Sequence, residues 1–174
     1  MKVKDLKICF VASSGGHLEE ISQLRKIKEK YDNFLITEKI NDDESKSSFN
    51  KVYEVNQINR KEIFFIIKFI VLFIKAFFIL NKEKPDFVIT TGALCSYPVC
   101  IIAKKIFKSK IIYIESFARC DTVSLTGKLM IKYADLFIVQ WKEMLKLLPK
   151  AVYGGGIFWY LYLWELKNFN SIDY

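Results

Sequence analysis

Short apolar runs alternate with longer helical segments along this chain. The runs are rich in β-branched and aromatic residues, and they cover residues 6–12, 34–37, 52–55, 87–90, 111–114 and 136–139, with a last one at 150–153. Strands that are apolar on both sides and separated by helices are typical of a parallel sheet covered by helices on both faces. The pattern therefore predicts an α/β fold, a single Rossmann-like sheet over residues 1–157.

The first strand ends at a turn of small residues that leads directly into a helix. The turn is Ser13-Ser14-Gly15-Gly16-His17, and helical spacing follows over residues 18–24. The N-terminus of a helix presents unpaired N–H groups and partial positive charge, which suits phosphate. Two glycines let an anion approach the backbone, and the serines add hydroxyl donors. Glycines placed there for steric reasons alone are the alternative.

Ligands of parallel sheets bind beyond the carboxyl ends of the strands, so the residues after the other runs are candidates as well. Thr91 and Gly92 follow one run, and Glu115 with Arg119 follow another. A carboxylate and a guanidinium four residues apart can combine an acceptor for hydroxyls or protons with a phosphate clamp. The alternative is a structural ion pair.

The polar stretch 41–48 is expected to be a loop over this site.

Residues 63–80 form an almost wholly apolar helical segment within which only Lys68 and Lys75 are polar. The same step of seven residues extends to Lys61 and Lys82. That step drifts by only about 20° on a straight helix, so the four lysines form one narrow stripe. We expect the helix, about 61–82, to lie flat in a membrane interface with its lysines among the headgroups. A spanning helix and a helix buried against a partner protein are the alternatives; two lysines near mid-bilayer would each cost about 3 kcal/mol.

Composition supports a membrane surface more than nucleic acid. The chain of 174 residues is 52% hydrophobic and 16% aromatic, yet it carries a formal net charge of +8. Apolar side chains combined with lysines suit anionic lipid, whereas nucleic-acid binding favours a polar basic stripe with exposed aromatics. The tail, residues 158–174, is aromatic enough for either a membrane boundary or a protein interface, and the preceding Gly154-Gly155-Gly156 is interpreted as a hinge.

The cysteines and the histidine limit the possible chemistry. Cys9, Cys95, Cys100 and Cys120 include no C-x-x-C pair, which favours free thiols in a reducing compartment. One histidine excludes any metal site that needs two, and we predict no metal and no cofactor. The N-terminus leads into the first strand without a signal segment, so we expect the cytoplasmic side of the membrane.

Six short motifs occur in an order that is familiar from one family. They are Ser13-Ser14-Gly15-Gly16-His17, Thr90-Thr91-Gly92, Ile114-Glu115-Ser116 with Arg119, Ser124-Leu125-Thr126-Gly127-Lys128, residues 135–141 and Val152-Tyr153-Gly154-Gly155. With these motifs the chain resembles the membrane-anchoring subunit of the two-component UDP-N-acetylglucosamine transferase of lipid-linked oligosaccharide synthesis, and its bacterial relatives in capsular and exopolysaccharide synthesis. The resemblance runs from residue 3 to about residue 158.

The resemblance implies the amino-terminal lobe of a GT-B glycosyltransferase. Such a lobe binds a polyprenyl-diphosphate-linked sugar acceptor, while a separate chain supplies the lobe that binds the UDP-sugar. By position, residues 13–16 would hold the acceptor diphosphate, helped by Thr91, Gly92 and Arg119. His17 would be a base or an orienting donor near the acceptor hydroxyl, and Glu115 would be the acidic catalytic residue. Ala93 departs from the glycine-rich pattern of the peptidoglycan enzyme that makes lipid II.

Two other functions remain open from the sequence. Glu38 follows the second strand near the position of a ribose-binding acid, which is the arrangement of a dinucleotide-dependent oxidoreductase, although the turn after the first strand lacks the three-glycine spacing. A non-catalytic scaffold with a degenerate site is the other possibility.

Overall fold

Seven parallel strands form one sheet in the part of the chain that the computed structural model describes, which is residues 6–39, 47–58 and 63–158. The strands are β1 (Lys7–Ala12), β2 (Asp32–Glu38), β3 (Val52–Val55), β4 (Phe87–Thr90), β5 (Lys110–Ile114), β6 (Leu136–Val139) and β7 (Val152–Tyr153). The helices are α1 (Gly16–Ser22), α2 (Arg25–Lys30), α3 (Phe65–Glu83), α4 (Ser96–Lys105), α5 (Leu125–Met130) and a 3-10 helix, Lys142–Lys146. All seven predicted strands are confirmed. Most of the predicted loop 41–48 lies outside the described residues.

The order of strands across the sheet is β3-β2-β1-β4-β5-β6-β7. The chain runs outward from β1 to β3, returns to the centre, and runs outward in the other direction from β4 to β7. The order therefore reverses between β1 and β4, where Phe10 is the register partner of Ile89. Ligands of open parallel sheets bind outside the carboxyl ends of the strands at such a reversal. The fold thus places the turn after β1 beside the loop after β4.

Both faces of the central strands are buried. Successive side chains of a strand point to opposite faces. Val11 of β1 packs in one cluster with Leu72 of α3 and Val99 of α4. Phe10 packs in the other cluster with Ile21 of α1. This double burial explains why the strands are continuous apolar runs instead of alternating ones.

The helix α3 covers the sheet with a narrow stripe and leaves apolar side chains exposed on the other side. Leu72, Ala76 and Leu80 are buried against the sheet. The outward apolar residues, here called the outer face, are 38–95% exposed: Ile63, Phe64, Ile66, Ile67, Ile70, Val71, Ile74, Phe77 and Phe78. A contiguous apolar patch of this kind marks a surface that meets a membrane or another molecule.

The predicted row of lysines runs along α3 between its buried stripe and the outer face. Lys75 and Lys82 are exposed, and Lys68 is half-buried. Lys61 lies outside the described residues. Within the described ranges, no helix has both the length and the apolar composition that crossing a bilayer requires.

Glu83 attaches the last turn of α3 to the amino end of the sheet. Its buried carboxylate accepts hydrogen bonds from Tyr53 Oη at 2.5 Å, Lys7 Nζ at 3.0 Å and Lys51 Nζ at 3.1 Å. Burial alone would raise the pKa of Glu83, but the hydrogen bonds from Tyr53, Lys7 and Lys51 outweigh it and lower the pKa to about 2. The ionised carboxylate therefore stabilises the fold at neutral pH.

We expect Glu83→Gln to lower the free energy of unfolding at pH 7 by about 2 kcal/mol, because charge-assisted hydrogen bonds to two lysines are lost. The carboxyl has a lower pKa when folded, so its contribution is complete above about pH 4.5 and is lost as the pH falls toward about 2. Chemical denaturation of wild type and variant across this range checks the prediction. Glu29→Gln, at an exposed position on α2, is the control. An equal difference between wild type and Glu83→Gln at pH 2 and pH 7 would contradict it.

Candidate functional site

The predicted site residues come together at the carboxyl edge of the sheet. Residues 13–17 follow β1, Thr91 and Gly92 follow β4, and residues 115–119 follow β5. These strands are neighbours in the sheet. A hydrogen bond from Thr91 Oγ1 to the carbonyl oxygen of His17, at 2.9 Å, connects the loop after β4 directly to the turn after β1.

The turn after β1 is open in front of its glycines. Gly15 has a φ of +83°, which favours glycine, and its carbonyl accepts from the backbone N–H groups of Leu18 and Glu19. A Cβ atom built on Gly15 or on Gly16 would meet nothing within 4 Å. Steric contact within the described part of the chain therefore does not explain Gly16. Both glycines are exposed and their N–H groups belong to the start of α1, which is the arrangement that suits an anion.

His17 is held against the loop after β4. A Cβ on Gly92 would lie 3.3 Å from His17 Cε1 and 3.0 Å from the Tyr113 hydroxyl, and Gly92 also has a φ of +115°. Burial lowers the pKa of His17, a hydrogen bond that the imidazole donates to the Thr91 backbone opposes this, and the charge of Arg119 lowers the pKa further. The imidazole is therefore neutral near pH 7. Its Nδ1 is buried and makes no hydrogen bond within the described residues.

The glycine at position 92 thus has a packing explanation. It leaves room for the His17 ring and the Tyr113 hydroxyl, and the next residue, Ala93, also adopts a positive φ of 72°. Phosphate binding by Thr91 and Gly92 stays a prediction.

Glu115 is anchored inside the protein. The residue is only 1% exposed. Its carboxylate accepts hydrogen bonds from the backbone N–H groups of Ser116 and Ser124, each at 3.2 Å. Burial raises the pKa of Glu115, and hydrogen bonds from Ser124 and Ser116 oppose the increase. A Cβ on Gly127 would overlap Glu115 Oε2, so the glycine of α5 makes room for this carboxylate. Glu115 joins the end of β5 to the start of α5, and its proposed part in proton transfer stays a prediction.

Arg119 lies exposed beyond this anchor. Its Nη1 donates to Thr122 Oγ1 at 3.4 Å. It forms no ion pair with Glu115 within 4.0 Å, so the structural ion pair considered from the sequence is not what the described residues show. Its charge is nevertheless close enough to lower the pKa of both His17 and Glu115. The guanidinium is therefore placed at the same edge as the glycine turn, where it can meet an anion.

Sequence reasoning missed Glu20 and gave Gln140 no role. Glu20 is 4% exposed and accepts from Ser116 Oγ at 2.7 Å and from Gln140 Nε2 at 2.9 Å. Gln140 Oε1 in turn accepts from the backbone N–H of Ile157 at 2.7 Å. The only sequence signal was that Gln140 directly follows a strand, because Glu20 stands beside Glu19 in an ordinary amphipathic helix.

The structure bears on four further points of the sequence analysis. Glu38 is buried, and burial raises its pKa while a backbone hydrogen bond from Ile58 opposes this, so it is not presented to a ribose. Cys9, Cys95, Cys100 and Cys120 are all free thiols. No group of three or more possible metal ligands occurs within the described ranges. In the proposed hinge, a Cβ on Gly154 would lie 2.7 Å from Ile138 Cγ2, so close packing already requires that glycine.

The family model described as "Oligosaccharide biosynthesis protein Alg14 like" matches residues 8–157. The human protein named UDP-N-acetylglucosamine transferase subunit ALG14 is 30% identical over 184 residues, which cover 88% of this chain and 84% of the human one. The protein of the same name from Candida albicans is 26% identical over 173 residues, which cover 88% of this chain and 78% of the Candida protein.

Solved structures show the same fold at low identity. MurG from Acinetobacter baumannii superimposes with a TM-score of 0.65 at 13% identity, over 79% of this chain and 42% of MurG. UDP-GlcNAc 2-epimerase from Neisseria meningitidis, solved with UDP-GlcNAc, gives 0.64 at 11% identity, over 87% of this chain and 47% of the epimerase. The chain thus spans less than half of either protein. The predicted fold class, one Rossmann-like lobe of the GT-B type, is confirmed.

We expect Gly127→Ala to destabilise the protein by about 2 kcal/mol or more, because a methyl group would overlap the buried Glu115 carboxylate. Gly16→Ala is the matched control, since its methyl group meets nothing and helix propensity favours alanine. Its free energy of unfolding should stay within about 0.5 kcal/mol of wild type or rise. Urea denaturation of both variants measures the difference. Equal stabilities would contradict the anchoring of Glu115 described above.

Proposed function

The chain belongs to the Alg14 family, and from this membership we propose that it is the acceptor-binding subunit of a two-chain glycosyltransferase. In this proposal it docks on the cytoplasmic face of a membrane and binds a polyprenyl-diphosphate-linked sugar. A separate chain binds the UDP-sugar and completes the catalytic cleft. The product is a longer lipid-linked saccharide for oligosaccharide, capsular or exopolysaccharide synthesis. The observation that carries the proposal is the open glycine turn at the point where the strand order reverses.

The requirement for a partner rests on the relatives. The human relative, most of whose length this chain covers, is named a transferase subunit. Its name concerns that protein, and we extend the subunit role to this chain because the family model spans nearly all of the described residues. A cleft between two lobes is the usual place for a ligand in two-domain proteins. The donor-binding chain would supply the second lobe.

The glycine turn would hold the diphosphate of the acceptor. Gly16 has no steric reason within the described residues to lack a side chain, whereas a diphosphate lying on the backbone N–H groups would require it. Arg119 stands at the same edge and can provide a guanidinium for the second phosphate. Serine hydroxyls of Ser13 and Ser14, both half-buried, lie in the same turn.

His17 would act next to the reacting hydroxyl. Its lowered pKa keeps the imidazole neutral at pH 7, which is the form a general base needs. The acceptor hydroxyl oxygen forms the new bond to the anomeric carbon of the donor sugar, the bond from that carbon to UDP breaks, and the imidazole takes the hydroxyl proton. Arg119 lies near enough to favour the neutral ring, because its charge opposes protonation.

The outer face of α3 would provide the membrane contact. Its exposed apolar residues can enter the interface while Lys68, Lys75 and Lys82 along its edge remain among the headgroups. Anionic lipid contributes about 1 kcal/mol for each lysine near the surface. The attachment proposed here is therefore peripheral.

We expect Gly16→Ala to weaken acceptor binding at least about tenfold while leaving the fold intact, because the added methyl group stands only in the ligand's way. Binding of polyprenyl-diphosphate-linked N-acetylglucosamine in detergent micelles measures this, and transfer by the complex purified with its donor-binding chain measures turnover. Glu29→Ala, exposed on α2, is the control and should match wild type. Unchanged binding in Gly16→Ala would remove the diphosphate from this turn.

We expect Ile70→Glu combined with Ile74→Glu to reduce binding to anionic vesicles at least about tenfold, because two apolar groups no longer enter the interface and two negative charges face the lipid. Both positions are exposed, so stability should change by less than about 1 kcal/mol. Sedimentation with vesicles of mixed phosphatidylglycerol and phosphatidylcholine measures the binding. The control pair, Leu147→Glu with Val152→Glu, changes the charge equally at exposed positions in or beside β7, the edge strand opposite β3. Equal loss in both pairs would show that charge alone matters and would contradict docking through the outer face.

A further inference from the structure

Glu20 is a buried carboxylate next to the residues of the candidate site, and neither the sequence motifs nor the proposed reaction gives it a role. It lies three residues after His17 on α1, so both side chains project from the same side of that helix. It is only 4% exposed, and burial of an ionised group is costly unless hydrogen bonds compensate it. Its surroundings explain how it is compensated.

Three hydrogen-bond donors of the described residues face the Glu20 carboxylate. Oε1 accepts from Ser116 Oγ at 2.7 Å and from the backbone N–H of Phe117 at 3.2 Å. Oε2 accepts from Gln140 Nε2 at 2.9 Å. Burial raises the pKa of Glu20, while hydrogen bonds from Ser116, Phe117 and Gln140 oppose the increase. A carboxylate can accept from all three donors at once, and these hydrogen bonds offset part of the cost of burying it.

The residues that Glu20 holds belong to the loop after β5. Phe117 is fixed a second time through its carbonyl oxygen, which accepts from Trp141 Nε1 at 2.7 Å. Arg119 lies two residues further on, and its backbone N–H donates to the carbonyl oxygen of Ser116 at 2.9 Å. The backbone of Arg119 is therefore positioned by a turn that Glu20 connects to α1 through hydrogen bonds.

Gln140 extends the connection to a third segment. Its Nε2 also donates to the carbonyl oxygen of Glu115 at 3.0 Å, and its Oε1 accepts from the backbone N–H of Ile157 at 2.7 Å. Glu20 thus links α1, the ends of β5 and β6, and the segment after β7 in one chain of hydrogen bonds. Glu20 and its direct partner Gln140 are 120 positions apart in the sequence.

We infer that Glu20 is a positioning residue which keeps the glycine turn and His17 on α1 in register with Arg119 after β5, so that both sides of the acceptor site face the same ligand. The inference rests on the proposed function, since it names the device that holds the acceptor site together. Glu20 itself lies beneath the site and touches the ligand only through the groups that it orients.

Two variants of Glu20 separate its connection to Ser116 and Phe117 from its connection through Gln140 to Ile157. Glu20→Ala removes the acceptor for all three donors. Glu20→Gln keeps one carbonyl oxygen for Ser116 and Phe117 but turns an amide N–H₂ toward Gln140 Nε2. Gln140 then keeps only its bond to the Glu115 carbonyl, so the connection to Ile157 is weakened selectively. Glu19→Ala is the matched control, because Glu19 is the exposed neighbour on the same helix and, among the described residues, its carboxylate accepts only from Gln23, the C-cap of that helix.

Amide hydrogen exchange on the full chain tests the network without any need for turnover. In Glu20→Ala we expect exchange at Phe117 and at Ile157 to accelerate at least about tenfold. In Glu20→Gln we expect acceleration at Ile157 and near wild-type protection at Phe117, and in Glu19→Ala no change at either. Wild-type exchange at both amides in Glu20→Ala would overturn the inference. Acceleration spread evenly over all strands would also overturn it, because that result would reveal general loss of stability instead of a local connection.

Acceptor binding then connects the network to the site. With polyprenyl-diphosphate-linked N-acetylglucosamine in micelles as the probe, we expect at least about tenfold weaker binding for Glu20→Ala, a smaller loss for Glu20→Gln, and none for Glu19→Ala. Faster exchange at Phe117 with unchanged binding would overturn the positioning role. Absence of binding by the wild-type chain would instead refute the proposed function, and the exchange experiment would still decide whether Glu20 makes the connection.

Discussion

The parallel pairing of β1 with β4 is the constraint on which the rest of the molecule depends. These two strands lie at the centre of the sheet, and the chain leaves them in opposite directions. The turn after β1 and the loop after β4 are therefore brought side by side, where Thr91 meets the backbone of His17. The two glycines have different roles at this junction. Gly92 makes room for the His17 ring, whereas at Gly16 a side chain would meet no atom of the described residues within 4 Å.

Carboxylates hold the molecule together at both edges of the sheet. Glu83 attaches α3 at the amino edge through two lysines and a tyrosine. At the carboxyl edge, Glu115 and Glu20 are buried among backbone and side-chain donors without an ion-pair partner within 4.0 Å among the described residues. The first arrangement is typical of a structural clamp, whereas the second leaves Arg119 exposed to meet an anion.

The sequence predicted the strands and the glycine turn because each of them is formed by residues that are adjacent in the sequence. A continuous apolar run needs only its own composition to be read as a buried strand, and the turn after β1 is one contiguous stretch. The roles of Glu20 and Gly127 could not be predicted in this way. Glu20 looks like one of two exposed acids on a helix, and its partners Ser116 and Gln140 are distant in sequence. Gly127 matters only because a carboxylate from the end of β5 occupies the space beside it.

The direction of α3 has a consequence for how a lipid would reach the turn. The helix follows β3 and precedes β4, so it runs antiparallel to the strands and begins at the carboxyl edge of the sheet. Ile63, which comes just before the helix and is 95% exposed, therefore lies toward the edge that carries the glycines, while Glu83 ends the helix about 27 Å from its first residue, Phe65. With the outer face resting on a bilayer, a long hydrocarbon tail would remain dissolved in the membrane and only its polar terminus would rise a short way to the protein.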